Sequence, residues 1–259
     1  MIKQGFIGRK IDKIKRGTIM SERTKGKCKY CGKEYAGSYM GRHLSSCKER
    51  QQRLAAMTGE RQCGYFLLYI SAKYDKDYWL FIEIRDTATL KDLDDFLRDI
   101  WLECCGHLSA FDVCGVRYEV MPMEDLFGGE WSETMNHKLK SVLEEGMTFG
   151  YAYDFGSTTE LVIKVVNCRT GSMQKDKITI LSRNNPIEYL CSECGKKPAK
   201  FICLECYWEG EGFLCEDCAE THECGEEMLL NICNSPRMGV CAYDGSDLYP
   251  DQFVPDQVD

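Results

Sequence analysis

The chain has 259 residues, 44% of them hydrophobic, so it is long enough to bury a core and to hold several domains. No stretch approaches the ~18 apolar residues of a membrane span, and basic residues interrupt each short apolar run near the N-terminus, which argues against a signal peptide and favours a soluble cytoplasmic protein. The net charge of −8 is uneven: residues 1–61 carry 16 Lys/Arg against 5 Asp/Glu, which is +11 and leaves −19 on the rest.

The first 25 residues are rich in Lys and Arg and poor in aromatic residues, a composition that predicts a flexible basic arm. Basic side chains bind polyanions by releasing counterions, whereas the acidic remainder repels them, so we expect a nucleic acid to bind the N-terminal part. A charged segment that is merely solvated is the alternative. The candidate nucleic-acid contacts are Lys10, Lys13, Lys15, Arg16, Lys25, Lys27, Lys29, Tyr39 and Arg42.

Residues 26–61 predict a zinc finger followed by a helix. A Cys-x2-Cys pair on a tight turn precedes a His-x3-Cys pair, whose members are one helical turn apart and therefore face the same way. These four expected ligands are Cys28, Cys31, His43 and Cys47. Tyr35 and Met40 stand between the two pairs, where a small finger needs an aromatic and an aliphatic residue for its miniature core.

Residues 62–184 change to alternating apolar and polar residues, a pattern that predicts strands. The predicted strands are 65–72, 78–84, 107–113, 116–120, 149–156, 159–167 and 177–182. The first two form a hairpin, and Thr87 or Thr89 caps a helix that follows and stops at Gly106. A second, short helix is predicted at 137–145. The fold class is therefore α+β, a mixed sheet with a packed helix and a β-grasp-like start.

Cysteines become dense after Pro186, where three Cys-x2-Cys pairs begin 12 residues apart and a His-x-Cys pair follows. The spacing resembles that of cross-brace modules of the B-box and ZZ kind, in which pairs one and three hold one zinc and pairs two and four hold another. The first predicted site consists of Cys191, Cys194, Cys215 and Cys218. The second consists of Cys203, Cys206, His222 and Cys224. Cys233 or Cys241 is an alternative to His222 or Cys224.

Residues 187–245 have too few large apolar residues for a core of their own, so metal must supply the folding energy of this two-zinc cross-brace module. Residues 246–259 follow as an acidic tail. Each predicted site has four protein ligands and no open position for an activated water. The sequence therefore predicts three structural zinc ions per chain, one in the finger and two in the module.

Seven of the 17 cysteines fall outside these sets, and we expect those in the sheet domain to be small buried hydrophobic residues rather than redox groups. They are Cys63, Cys104, Cys105, Cys114, Cys168, Cys233 and Cys241. The adjacent pair Cys104-Cys105 falls on the predicted helix and is no ligand set by itself.

A catalytic centre has little support in the sequence. His107, Asp112 and Asp154 are the candidates for acid-base chemistry if the fold brings them together. The chain carries no Gly-rich phosphate loop, nucleophile elbow or His-Glu-x2-His motif, so we expect that it is not an enzyme. A cryptic enzyme centred on His107 and Asp154, with hydrolase or recombinase-like activity, is the alternative.

Three stretches resemble the Ri-plasmid (pRiA) ORF-like family, whose members are often labelled TnpR-like passenger proteins of insertion elements. They are HLSAF at 107–111, the segment 138–166 with its Tyr153-Asp154-Phe155-Gly156 motif, and SPRMGVCAYDG at 235–245. The resemblance covers about residues 62–245, and the N-terminal finger is an addition to it. It implies an α+β sheet domain and little about function. A recombinase needs a nucleophilic Ser or Tyr among several arginines, and no such cluster stands out.

These observations favour a non-enzymatic zinc-binding adaptor that holds nucleic acid through residues 1–61. A single finger reads only ~3 base pairs, which favours RNA, with ribosome association as the expected setting, over sequence-specific DNA. Tyr30, Tyr35 and Tyr39 are interleaved with basic residues and suit base stacking. The acidic sheet domain and the cross-brace module would then bind a protein partner. A protein-protein interaction scaffold without nucleic-acid binding is the alternative, and no membrane partner is expected.

Overall fold

A computed structural model of the chain describes residues 23–59, 61–122 and 131–256. These residues form two compact units, one made of 23–187 and 233–256 and the other of 188–232. Within the described ranges, the helices are all too short or too polar to span a bilayer. Most of the predicted basic arm, residues 1–22, lies outside the described residues.

The finger begins the first unit with a small hairpin and two helices. Strands β1 (Lys25–Lys27) and β2 (Glu34–Ala36) pair antiparallel, and helices α1 (Gly37–Ser46) and α2 (Lys48–Ala56) follow. The sequence predicts one helical stretch here. The helix is instead interrupted at Cys47, whose extended backbone angles of φ −66° and ψ 116° separate α1 from α2.

An eight-stranded sheet is the centre of this unit. Its strands are β3 (Gln62–Ala72), β4 (Trp79–Arg85), β5 (Ser109–Val113), β6 (Val116–Glu119), β7 (Ser132–Thr134), β8 (Thr148–Tyr153), β9 (Thr159–Ser172) and β10 (Ile178–Arg183). They lie in the order β10-β4-β3-β9-β8-β5-β6-β7, and every pair is antiparallel except β6 and β7. The predicted α+β class with a mixed sheet is confirmed. Strand β7 was not predicted.

Both faces of this sheet are covered around β4. Its alternate residues Leu80, Ile82 and Ile84 face a core that contains helix α3 (Leu90–Leu97). Trp79 and Phe81 point to the opposite face and pack against the finger residues Met40 and Leu44. A strand that is buried on both faces is apolar at nearly every position, which explains the continuous run that begins at Tyr78.

Helix α3 begins as predicted and ends earlier. Thr89 caps it through a capping box, in which its hydroxyl accepts from the backbone N–H of Asp92 and the Asp92 carboxylate accepts from the N–H of Thr89. A π-helical turn, Arg98–Leu102, follows, and the chain becomes extended at Glu103. The Glu103 carboxylate accepts from the backbone N–H of Gly106 and holds the chain in a turn. The prediction that Cys104-Cys105 lies on this helix is therefore wrong.

The remaining elements also differ in part from the sequence prediction. The predicted helix at 137–145 is reduced to a single 3-10 turn, Leu139–Ser141. The hairpin β3-β4 followed by α3 is present as predicted, and the β-grasp assignment itself stays a prediction. Residues 233–245, which we expected in the cross-brace module, belong to the unit of the sheet. Asn234 explains this placement, because its side chain exchanges two hydrogen bonds with Asn184 at the end of β10.

The second unit, residues 188–232, has little regular structure. A three-stranded sheet has the order β12-β11-β13, with β11 (Phe201–Cys203), β12 (Phe213–Leu214) and β13 (Leu229–Asn231). Two single-turn helices, α4 (Leu204–Tyr207) and α5 (Glu216–Ala219), follow β11 and β12. Ile202 and Leu214 are its buried aliphatic side chains, beside buried cysteines. So small an apolar interior agrees with the expectation that metal holds this segment together.

Candidate metal centres

The four predicted finger ligands lie together. The ligand atoms of Cys28, Cys31, His43 and Cys47 are all within 4.8 Å of one another. Sγ of Cys28 is 4.0 Å from Sγ of Cys47, and Sγ of Cys31 is 3.2 Å from Nε2 of His43. Ligands at the usual Zn–S distance stand about 3.8 Å apart in a tetrahedron. The arrangement can therefore hold a tetrahedral metal ion.

The finger's local structure positions these side chains. The loop between β1 and β2 turns at Gly32, whose φ of 68° places it in the left-handed region that favours glycine. The ring of Tyr35 stacks on that of His43 with centroids 4.3 Å apart, and Met40 is fully buried, so both predicted core residues support the cluster. Desolvation raises the pKa of Cys47 to about 12 and lowers the pKa of His43. A divalent cation among them would reverse the preference of the thiol for its proton.

The second unit contains the two predicted cross-brace groups. Their ligand atoms again lie within 4.8 Å of one another inside each group. The first group is Cys191, Cys194, Cys215 and Cys218, and the second is Cys203, Cys206, His222 and Cys224. Pairs one and three therefore meet, as do pairs two and four, as predicted. Cys233 and Cys241 belong to the unit of the sheet, so neither replaces His222 or Cys224.

Backbone N–H groups stabilise the thiolates of Cys191 and Cys203 in these groups. Desolvation raises the pKa of Cys191, but backbone hydrogen bonds from Cys194 and Cys215 outweigh it and lower the pKa to about 6. Desolvation also raises the pKa of Cys203, but hydrogen bonds from the backbone N–H of Cys206 and from the His222 side chain outweigh it and lower the pKa to about 7. Thiolates, not thiols, bind metal. Nδ1 of His222 lies 2.8 Å from Oε1 of Glu193, which orients the ring so that Nε2 faces the cysteines.

A fourth group, absent from the sequence analysis, forms in the unit of the sheet. Cys104, Cys105, His107 and Cys241 have their ligand atoms within 4.8 Å of one another. The sequence does not reveal this group because Cys105 and Cys241 are 136 residues apart, and because the predicted helix runs through Cys104 and Cys105. The one available signal was that HLSAF and SPRMGVCAYDG both belong to the resemblance with a known family.

The structure separates the three candidates for acid-base catalysis. Nδ1 of His107 is 3.6 Å from Oδ1 of Asp154. Asp154 also accepts a 2.7 Å hydrogen bond from Nη2 of Arg237, whose charge helps to hold the pKa of Asp154 below its usual value against the desolvation that raises it. Asp112 lies farther along β5, exposed and opposite Arg117. The predicted trio is therefore reduced to one His-carboxylate pair.

The candidate nucleic-acid contacts divide into two groups. Lys10, Lys13, Lys15 and Arg16 lie outside the described residues. Lys25 and Lys27 are on β1, and Lys29 forms a 2.6 Å ion pair with Asp256. Tyr39 is 60% exposed on α1, with the guanidinium of Arg42 6.0 Å from its ring centre. Tyr30 is 5% exposed in the core, so the expectation that it stacks on bases is wrong.

The chain combines a mixed α+β sheet with groups of four Cys and His side chains, and each group could hold a metal ion. It is therefore a protein whose side chains can bind metal. Residues 72–192 match the family described as plasmid pRiA4b ORF-3-like protein, and this match supports the resemblance noted in the sequence. The chain is also similar to the crystal structure of a protein of unknown function from Methanosarcina mazei Go1. That similarity has 18% identity and a TM-score of 0.41, and it covers 47% of this chain and 70% of the other. None of the curated proteins matches the chain.

Proposed function

We propose that this chain is a non-enzymatic zinc protein that binds nucleic acid, RNA in preference to specific DNA sequences, through the exposed face of its finger. The observation that carries the proposal is the two-sided character of α1. Met40 and Leu44 on one side of the helix are fully buried against the sheet, whereas Tyr39 and Arg42 on the other side are exposed. An exposed aromatic ring beside a guanidinium can stack on an unpaired base and pair with a phosphate.

Zinc is the metal that suits the three predicted groups. Each has three or four sulfur ligands and at most one imidazole, in a spacing that fits a tetrahedron. All four positions are protein side chains, so these zinc ions are structural and the cytoplasm's reducing conditions keep the thiols available. A cryptic enzyme at His107 and Asp154 is less well supported, because the buried Arg237 already occupies the carboxylate.

The charge of residues 188–232 supports a role for this unit that differs from the role of the finger. Residues 188–232 contain 3 Lys/Arg against 11 Asp/Glu, and this acidic surface repels phosphates. It suits a basic protein partner instead, and Trp208, 65% exposed within this unit, is an aromatic side chain of the kind that anchors protein interfaces. A ribosome-associated adaptor that binds RNA through its finger and a protein through residues 188–232 agrees with this distribution.

The test compares the finger pair with a matched pair elsewhere. Tyr39→Ala and Arg42→Ala should each weaken binding to a fluorescent single-stranded RNA by about 5- to 100-fold, as loss of one stacked base or one charged contact does. Phe155 and Arg117 are the control, because Arg117 also lies over an exposed aromatic ring, at 4.9 Å. Phe155→Ala and Arg117→Ala should leave the affinity unchanged. Fluorescence anisotropy measures all four variants.

A salt series separates the proposal from its alternative. The logarithm of the binding constant should fall by about 0.7 for each phosphate neutralised on a single strand. If the intact chain binds neither RNA nor duplex DNA at low salt, or if Tyr39→Ala and Arg42→Ala bind as the parent does, the nucleic-acid proposal fails. The chain is then better described as a protein-protein interaction scaffold.

A further inference from the structure

Four side chains from two distant parts of the sequence converge beside the end of strand β8. Sγ of Cys105 is 3.7 Å from Sγ of Cys104, 3.6 Å from Sγ of Cys241 and 2.9 Å from Nε2 of His107. Nε2 of His107 is also 3.7 Å from Sγ of Cys241. Most of these separations are close to the ~3.8 Å edge of a zinc-centred tetrahedron. The set of donors, three sulfurs and one imidazole, equals that of the finger.

We propose that these residues form a fourth zinc site, independent of the finger and of the 188–232 unit. Sulfur and imidazole donors exclude Mg²⁺ and Ca²⁺, which take oxygen ligands, and favour zinc. Because the proposal concerns metal content alone, it stands or falls separately from nucleic-acid binding.

The surroundings of His107 are those of a metal ligand. Its Nε2 faces the sulfurs, while its Nδ1 faces the carboxylate of Asp154 at 3.6 Å. Histidines that bind zinc usually donate their second N–H to such a carboxylate, which fixes the tautomer and the ring orientation. Asp154 is itself held by the backbone N–H of Gly156 at 2.9 Å and by Arg237.

Arg237 contributes charge as well as position. Its side chain is fully buried, and Nη2 lies 3.6 Å from Sγ of Cys104 and 2.7 Å from Oδ2 of Asp154. Three thiolates around one Zn²⁺ carry a net charge of −1, and a buried guanidinium beside them offsets part of it. The hydrogen bonds from Arg237 to the Ser157 carbonyl and the Thr159 hydroxyl keep that guanidinium in place.

Backbone geometry at the site is also unusual. Asp154 and Cys241 have φ of 63° and 56°, and both belong to the small group of non-glycine residues with positive φ in the described part of the chain. Such conformations are strained for residues with a side chain and persist where the surroundings impose them. A metal that joins Cys241 to residues 104–107 would impose the backbone conformation of Cys241. It would also fasten segment 233–245 to the turn after α3.

Zinc content tests the proposal directly. Protein purified without chelator should contain four zinc ions per chain by elemental analysis. Cys241→Ser and Cys105→Ser, which alter exposed side chains, should each contain three. The matched control is Cys168→Ser, another exposed cysteine that belongs to none of the four groups, and it should retain four. In a titration with Co²⁺ followed by the thiolate-to-cobalt absorption bands, the two variants should bind one equivalent fewer than the control.

Accessibility supplies a second measurement on the unaltered chain. Cys105 and Cys241 are exposed, whereas each of the other three groups contains at least one buried cysteine, so a chelator should remove one zinc ion before the other three. Asp154→Asn should raise the dissociation constant of that first ion by about 10- to 100-fold, as the loss of such an outer carboxylate does. A Cys241→Ser protein that contains as many zinc ions as the parent would overturn the fourth site.

Discussion

Glu83 is a buried carboxylate that joins the finger to the sheet. It lies on β4 with 2% of its surface exposed. Arg50 on α2 reaches its Oε1 with Nη2 at 2.5 Å, and Arg169 on β9 contacts both oxygens at 2.6 and 2.8 Å. Two guanidinium groups thus share one carboxylate. Removal of the shared partner leaves two cations inside the protein with little compensation.

Glu83→Gln should therefore lower the free energy of unfolding by about 3 to 5 kcal/mol, the cost typical of breaking a buried ion pair. Urea unfolding followed by circular dichroism measures this change. The control is Glu160→Gln, because Glu160 pairs with Lys73 on the surface, where both side chains are partly exposed. That variant should lose less than about 1 kcal/mol. Equal losses in the two variants would contradict a special role for Glu83.

The same residue predicts a pH dependence. Burial raises the pKa of Glu83, but hydrogen bonds and charges from Arg169 and Arg50 outweigh it, so its pKa in the folded protein is lowered. A carboxyl group of this kind stabilises the fold above its unfolded pKa of about 4.3, and the contribution is lost as the pH falls through the folded value. The stability difference between parent and Glu83→Gln should shrink steadily below about pH 4.3. A difference that stays constant down to pH 2 would contradict this assignment.

At the residue scale, the sequence predicted the ligands that are close together and missed those that are far apart. The Cys-x2-Cys spacing identifies pairs such as Cys28 and Cys31, or Cys203 and Cys206, as ligands, since a tight turn brings both sulfurs to one point. Cys241 has no neighbour that marks it as a ligand, and only the tertiary fold brings it to Cys105. Tyr30 looked available to a base for the same reason: sequence alone does not show the sheet that buries it.

Among the elements, β1 packs most closely against its neighbours. A Cβ atom added at Gly26 would stand 2.1 Å from the backbone oxygen of Arg183 and 2.8 Å from the ring of Trp79. The absence of a side chain lets β1 approach the end of β10, where Gly26 forms a β-bridge with Asn184. A glycine is required here by close contact rather than by its backbone angles.

Gly26→Ala should accordingly destabilise the protein by about 2 to 3 kcal/mol, because the backbone of Arg183 cannot yield as a flexible side chain would. Thermal unfolding measures the loss, and the zinc content shows whether the finger remains loaded. Gly150→Ala is the matched control, since a Cβ atom at that strand position has no neighbour within 4 Å. A loss at Gly26 no larger than the loss at Gly150 would show that the finger does not sit this closely on the sheet.

The strands were predictable because their signal is local. Alternation along β3 and the apolar run of β4 reflect which faces are buried, and these patterns survive in the sequence. The end of α3 was not predictable, since it depends on a carboxylate, Glu103, that turns the chain through a hydrogen bond to Gly106. Nor does an apolar β4 reveal that the finger covers Trp79 and Phe81.

For the molecule as a whole, the two units should differ in what holds them together. Residues 188–232 bury Ile202 and Leu214 beside cysteines, whereas the sheet has an extensive apolar core. Structural zinc supplies about 10–16 kcal/mol in small zinc-dependent domains. Cys203→Ser should therefore unfold 188–232 and leave the sheet intact. Limited proteolysis should cut the variant within this range, while Cys168→Ser resists as the parent does. Equal resistance of Cys203→Ser would contradict the cross-brace assignment.

The pairing of Asn184 with Asn234 has a consequence for the order of folding. The two residues are 50 positions apart in the chain, with 188–232 between them. The Asn184 side chain donates to Oδ1 of Asn234 at 2.7 Å, and the Asn234 side chain donates to the backbone carbonyl of Asn184 at 2.8 Å. Closing a loop of that length costs roughly 3.5 kcal/mol of chain entropy before any contact compensates for it. During synthesis the ribosome must release the whole cysteine-rich excursion before Trp101 can donate to the Asn234 carbonyl or Asp154 can receive Arg237. Most of the sheet therefore emerges from the ribosome before residues 188–232 do. The unit of the sheet is nevertheless completed later, when residues 233–256 follow.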